Sequence, residues 1–138
     1  MGTYILNIPH VSSPRSLADN LTSDVKQKFH FKNGDFGTPS YTKDTHNNTR
    51  HIESDDPVKT SEEFMEVMVQ GYTRRRTIPN VDGSVKGEVF DMKDGSSVTW
   101  RQYSTSDGSP AVDINVDKVT EQCPINYQKI HFVKEEKK

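Results

Sequence analysis

Between residues 88 and 133 apolar and polar side chains alternate in four short runs: 88–93, 97–104, 111–116 and 129–133. Successive side chains of a strand point to opposite faces, so each run divides by parity. One face collects Phe90, Met92, Val98, Trp100, Val112, Ile114, Val116, Ile130 and Phe132. The other collects Asp91, Lys93, Thr99, Arg101, Tyr103, Asp113, Asn115, Lys129 and His131. An antiparallel sheet with one face on a core and one in water alternates in this way. Asp94-Gly95-Ser96 and Asp107-Gly108-Ser109-Pro110 are turn sequences between the first three runs, and a longer connection, 117–127, precedes the fourth.

The N-terminal part carries a different period. Residues 3–8 form a short apolar run that suggests an edge strand. Ser13-Pro14 supplies an N-cap with proline at the first helical position. Leu17, Leu21, Val25 and Phe29 then recur every four residues, which predicts a helix to about Phe31, stopped near Asn33-Gly34. Residues 35–56 are polar, with Ile52 the sole aliphatic, and read as a long loop. This loop marks a boundary between an N-terminal segment, 1–58, and a C-terminal module, 59–138. His46 and His51, five apart in no periodic element, read as solvated loop histidines and not as metal ligands. The clearest helix begins at Thr60, where Thr60-Ser61-Glu62-Glu63 fits a capping box. Phe64, Val67 and Met68 mark its buried side, and Gly71 its end. The expected fold class is α+β, with N-terminal helices packed on a four-stranded antiparallel sheet.

Arg74, Arg75 and Arg76 follow that helix directly. Cations there oppose the negative end of the helix dipole, for which one arginine is enough. The other explanation for three in a row is an anionic partner.

Composition narrows the picture. A chain of 138 residues makes one domain, or one domain with an appendage. Only 30% of it is apolar, so the core is small. No apolar run is long enough to span a membrane, and the N-terminus lacks the charged-then-apolar plan of a signal peptide. Cys123 is the single cysteine, which excludes an internal disulfide and a cysteine-based metal cluster. With a net charge of −2, bulk charge does not favour nucleic acid, so such a partner needs a local patch.

A merely wet sheet face does not require an arginine, a tyrosine, a lysine and a histidine at interior strand positions. No HExxH, EF-hand or paired CxxC pattern is present, and Gly-x-Ser-x-Gly is absent. The remaining set suits phosphodiester cleavage without metal or other cofactor. That reaction needs a group of near-neutral pKa to move protons, and cations and donors around the pentavalent phosphorane. His131 is the candidate acid or base. Arg101 offers a planar fork to phosphate and Lys129 a point charge. Thr99 and Tyr103 can donate hydrogen bonds, and Tyr103 can instead stack a base. Arg74, Arg75, Arg76, Asn115, Ser104 and Ser106 are the candidate substrate-binding residues. The competing account makes His131 a surface histidine and pairs Arg101 with Asp113 or Asp91.

The capped helix is followed by Lys-Gly-Glu-Val-Phe-Asp-Met-Lys-Asp-Gly (86–95) and Val-Thr-Trp-Arg-Gln-Tyr-Ser-Thr-Ser (98–106). Asp-Gly-Ser-Pro-Ala-Val-Asp-Ile-Asn (107–115) and Gln-Lys-Ile-His-Phe (128–132) come next. This series resembles the C-terminal toxin domains of bacterial polymorphic toxins, in particular contact-dependent growth inhibition toxins with the barnase/EndoU/colicin-type ribonuclease fold. The resemblance covers about residues 58–133 and lies in element order and phrase, with no invariant motif. It implies N-terminal helices on a four-stranded antiparallel sheet whose open face cuts RNA, often tRNA. It carries over Arg101, Thr99 and His131 alone as site positions. It further implies export as part of a larger toxin, action in the cytoplasm of a target bacterium, and a cognate immunity protein, with a host protein cofactor as a further possible partner. Residues 1–58 match nothing in it; in such toxins this region often serves entry.

Two other readings compete. Ser104-Thr105-Ser106 is similar to the Ser-Thr-Ser of ADP-ribosyltransferases, but the arginine lies on the same strand and only Glu121-Gln122 follows downstream. A small non-enzymatic binding module is the third reading.

Overall fold

The four alternating runs fold as an antiparallel meander because each has one apolar side to bury. In the computed structural model the described residues are 5–10, 13–20, 28–29, 49–103, 108–116 and 127–134. Their elements are α1 (Leu17–Asn20), β1 (Thr49–Ser54), α2 (Pro57–Met68), β2 (Arg74–Pro79), β3 (Val85–Asp91), β4 (Ser97–Arg101), β5 (Ala111–Asn115) and β6 (Tyr127–Lys134). The strands form one sheet in the order β1-β6-β5-β4-β3-β2. The fold is α+β. The four expected strands are β3 to β6, antiparallel throughout.

Two further strands extend that meander to a six-stranded mixed sheet. β1 pairs in parallel with β6, and β2 pairs antiparallel with β3. Both lie where the sequence suggested something else. Thr49–Ser54 falls in the expected loop, and Arg74–Pro79 opens on the basic triplet expected just past the helix end. These two strands sit at opposite edges, so α2, which joins them, must cross one face of the sheet.

That face is the core. Phe64 of α2 meets Phe132 edge-on at 5.6 Å, and Phe29 packs on Phe64 at 5.2 Å. The indole of the buried Trp100 donates to the Ser61 hydroxyl at 2.9 Å, so its one polar atom is satisfied. Leu6, Ile8 and Leu17 belong to the same apolar cluster. The apolar half of the parity division of 88–133 is therefore buried as expected: Phe90, Val98, Trp100, Val112, Ile114, Ile130 and Phe132 are all 0% exposed.

The cap of α2 differs from the expected Thr60–Glu63 box. Asp56 is the N-cap, its carboxylate accepting from the Lys59 N–H at 3.3 Å, and Pro57 occupies the first helical position. The Thr60 hydroxyl is instead hydrogen-bonded to that of Ser54. Past the helix, Gly71 has φ +77° and its carbonyl accepts from the Arg15 N–H at 3.0 Å. A Cβ there would meet Arg15, so glycine is needed twice over.

The N-terminal run does not form an edge strand over its described residues. Its backbone is bound by side chains: the N–H groups of Ile5 and Leu6 donate to Glu88 Oε2 at 3.1 and 2.7 Å. Arg75 donates to the carbonyls of Ile8 and Leu6 at 3.2 and 2.5 Å. Of the expected helix over 13–31, α1 and Lys28 are helical, but Ser13 is not its cap. The helix begins at Leu17, where the Ser16 hydroxyl accepts from the Asp19 N–H at 3.0 Å, and residues 21–27 and 30–31 lie outside the described set.

Candidate functional site

Cross-strand register decides which polar side chains are neighbours on the face opposite α2. One row runs His51, His131, Ala111, Arg101, Gly87. The next runs Thr49, Lys129, Asp113, Thr99, Val89, Arg76. A third runs Tyr127, Asn115, Ser97, Asp91, Arg74. Of the predicted site residues, His131, Arg101, Thr99, Lys129, Asn115, Arg74 and Arg76 therefore share one face. Ser104 and Ser106 lie outside the described residues.

In the first row His131 and Arg101 stand on either side of Ala111, about 10 Å apart at the backbone, or two strand spacings. Alanine puts only a methyl group between them, and it is buried, 1% exposed. Gly87, on the far side of Arg101, could not be replaced, because a Cβ would run into the Trp100 carbonyl oxygen. His131 Nδ1 is hydrogen-bonded to the Ser109 hydroxyl at 2.9 Å. Across the parallel pairing, the His51 and His131 rings meet edge-on with centroids 5.9 Å apart. His51 was expected in a solvated loop; it is a half-buried residue of β1 beside the candidate acid–base. The strand signal for it is Thr49-x-His51-x-Glu53 alternating about buried Arg50 and Ile52, too short and polar to stand out from a loop.

Arg101 is held through a neighbouring carboxylate. Its Nη1 lies 3.1 Å from Asp113 Oδ2, and the Tyr127 hydroxyl donates to Asp113 Oδ1 at 3.1 Å. Burial, then the Asp113 charge and its hydrogen bond, push the Tyr127 phenol up to about 12, against a smaller opposing effect of Arg101. Tyr127 thus stays a phenol at neutral pH and positions Asp113, which in turn orients the guanidinium. Arg101 Nε is buried with no hydrogen-bond partner among the described residues. Sequence reasoning had Asp113 only as an alternative partner of Arg101 and missed Tyr127 and Ser109.

The face is less wet than alternation alone implied. Asp113 and His131 are 8% and 7% exposed, and Ala111 1%, while Arg101, Thr99 and Lys129 are half-buried. Tyr103, in contrast, lies beyond the end of β4 and is 64% exposed. It lines a cleft of about 770 Å³ with Ser84, Lys86, Arg101 and Gln102.

The arginine triplet is divided by strand parity. Arg75 points into the core face, with its guanidinium 2.6 Å from the fully buried Glu88 and over the Phe90 ring. Arg76 pairs with Asp91 at 3.1 Å, and Arg74 is exposed at the β2 edge. Neither explanation offered for the triplet as a unit holds for Arg75, because α2 already ends at Met68 and this guanidinium is committed to Glu88 and the N-terminal backbone.

The fold and face define an α+β protein with a polar, histidine- and arginine-bearing sheet surface. No protein-family model matches the chain, and no curated protein or solved structure is significantly similar to it.

Proposed function

We propose that this chain is a metal-independent endoribonuclease whose site is the His51–His131–Arg101 row. The observation that supports it best is the placement of two imidazoles and a guanidinium in one cross-strand register, with only Ala111 between His131 and Arg101. Cleavage by transesterification needs a base to take the 2′-OH proton and an acid to protonate the departing 5′-oxygen; the 2′-oxygen–phosphorus bond forms as the phosphorus–5′-oxygen bond breaks. Two neighbouring imidazoles in opposite protonation states meet both needs. Arg101 and Lys129 would offset the charge growing on the phosphorane, and Thr99 would donate to it.

The finer reading follows the resemblance: a barnase/EndoU/colicin-type toxin domain of a contact-dependent inhibition protein. It would be exported within a larger toxin, act on tRNA in the target cytoplasm, and be neutralised by a cognate immunity protein. A binding module without activity is favoured by one observation, that Arg101 is paired with Asp113 and His131 with Ser109.

The test is cleavage of bulk tRNA by purified full-length chain in EDTA. Discrete fragments ending in 2′,3′-cyclic phosphate are expected, together with growth arrest when the chain is expressed in a bacterium. His131→Ala and His51→Ala should each lose cleavage. Intact RNA, or cutting that survives both substitutions, would overturn the reading.

A further inference from the structure

We infer that the cleft beyond the end of β4 is a subsite for one unstacked nucleotide of single-stranded RNA, with Tyr103 as the platform for its base and Lys86 as the cation for its phosphate. The inference deepens the nuclease reading, because Arg101 belongs both to this cleft and to the His131 row.

Its own grounds lie in the cleft. At about 770 Å³ the space suits a small organic group. Its described lining holds two cations, Lys86 and Arg101, and no carboxylate. Asp82, the acid of the adjoining turn, is bound to Ser84, accepting from its N–H at 3.0 Å and its hydroxyl at 2.6 Å. The walls are tied down by backbone hydrogen bonds, Asn80 N–H to Ser84 O at 2.7 Å and Gln102 N–H to Lys86 O at 3.2 Å. On this polar surface Tyr103 is 64% exposed and outside the apolar core. An aromatic ring in water beside cations is the arrangement that stacks bases of single strands, whose faces are free. Gln102 adds an amide able to donate to and accept from a base edge. Tyr103 follows Arg101 by two residues, so a strand held at the row would pass directly into the cleft.

The test is titration of the full chain with a non-cleavable 2′-O-methyl single-stranded octanucleotide, so that binding is read without catalysis. Tyr103→Ala is expected to weaken binding about tenfold or more, the scale of one lost base–aromatic stack. Lys86→Gln is expected to weaken it and to reduce the salt slope by about 0.7, one phosphate contact on a single strand. Val81→Ala, in the same turn but outside the cleft lining, should leave affinity unchanged. Tyr103 and Lys86 are both exposed, and a far-UV spectrum verifies that each variant folds. Wild-type affinity in both variants overturns the subsite, even if His131-dependent cleavage is seen. Tyr103-dependent binding by a chain that cleaves no RNA keeps the subsite and overturns the nuclease reading.

Discussion

Arg75 and Glu88 form a buried ion pair on the core face of the sheet, 2.6 Å apart with side chains 7% and 0% exposed. Each also binds the backbone of residues 5–8, so four polar groups of that segment are satisfied at once. Removing one member leaves the other charge buried without its partner, a loss on the order of 3–5 kcal/mol. Arg75→Gln and Glu88→Gln are each expected to lower stability by about that amount in urea unfolding. Arg74→Gln and Arg76→Gln should stay within about 0.5 kcal/mol of wild type, as surface changes do. Equal effects at all three arginines would return the triplet to a single role.

Arg101 contributes to both stability and the proposed chemistry. Arg101→Ala leaves Asp113, 8% exposed, with the Tyr127 hydroxyl but without its ion pair, and should cost about 1–3 kcal/mol. Arg101→Lys keeps a charge near Asp113 while losing the fork. It is expected to recover much of the stability yet still lower cleavage by about 10²–10³-fold, the scale of one lost preorganised donor. Full activity of a folded Arg101→Lys variant would remove Arg101 from the phosphate site.

Tyr127 provides a spectroscopic check on that network. The wild-type minus Tyr127→Phe difference in ultraviolet absorbance should titrate near pH 12, where burial and Asp113 place it. Because the folded value lies above the unfolded one, near 10, the stabilisation is present below pH 10 and is lost as pH rises through about 12. Asp113→Asn should move the midpoint down but not to the ordinary phenol value, since burial is the larger cause. A midpoint near 10 in the wild-type chain would mean that Tyr127 is solvated and not bound to Asp113.

The start of α2 is open to a direct comparison of two caps. Asp56→Ala should cost about 1 kcal/mol, and Glu63→Ala should fall within about 0.5 kcal/mol of neutral. The reverse order, measured by thermal or urea unfolding, would restore the Thr60–Glu63 capping box.

Several features are legible in the sequence alone. Residues 88–133 alternate with period two over four segments and are separated by Asp-Gly turns, so their strands and the side chains of each face follow from local geometry alone. The edge strands could not be read so. Thr49–Ser54 has one aliphatic residue and acquires its order from backbone pairing with β6, a partner about 80 residues away along the chain. Arg74-Arg75-Arg76 reads as a basic triplet following a helix until Glu88 is seen beneath it, because what turns Arg75 inward is a buried carboxylate on another strand.

The same division holds for the candidate site. Parity determined that His131, Arg101, Thr99, Lys129 and Asn115 share a face, since a strand offers only two. Register and strand order decided the rest: that His51 stands beside His131, that Ala111 alone separates His131 from Arg101, and that Asp113 holds Arg101 under a phenol. Those are relations between strands, set by long-range hydrogen bonding and packing on α2, and no local sequence pattern encodes them.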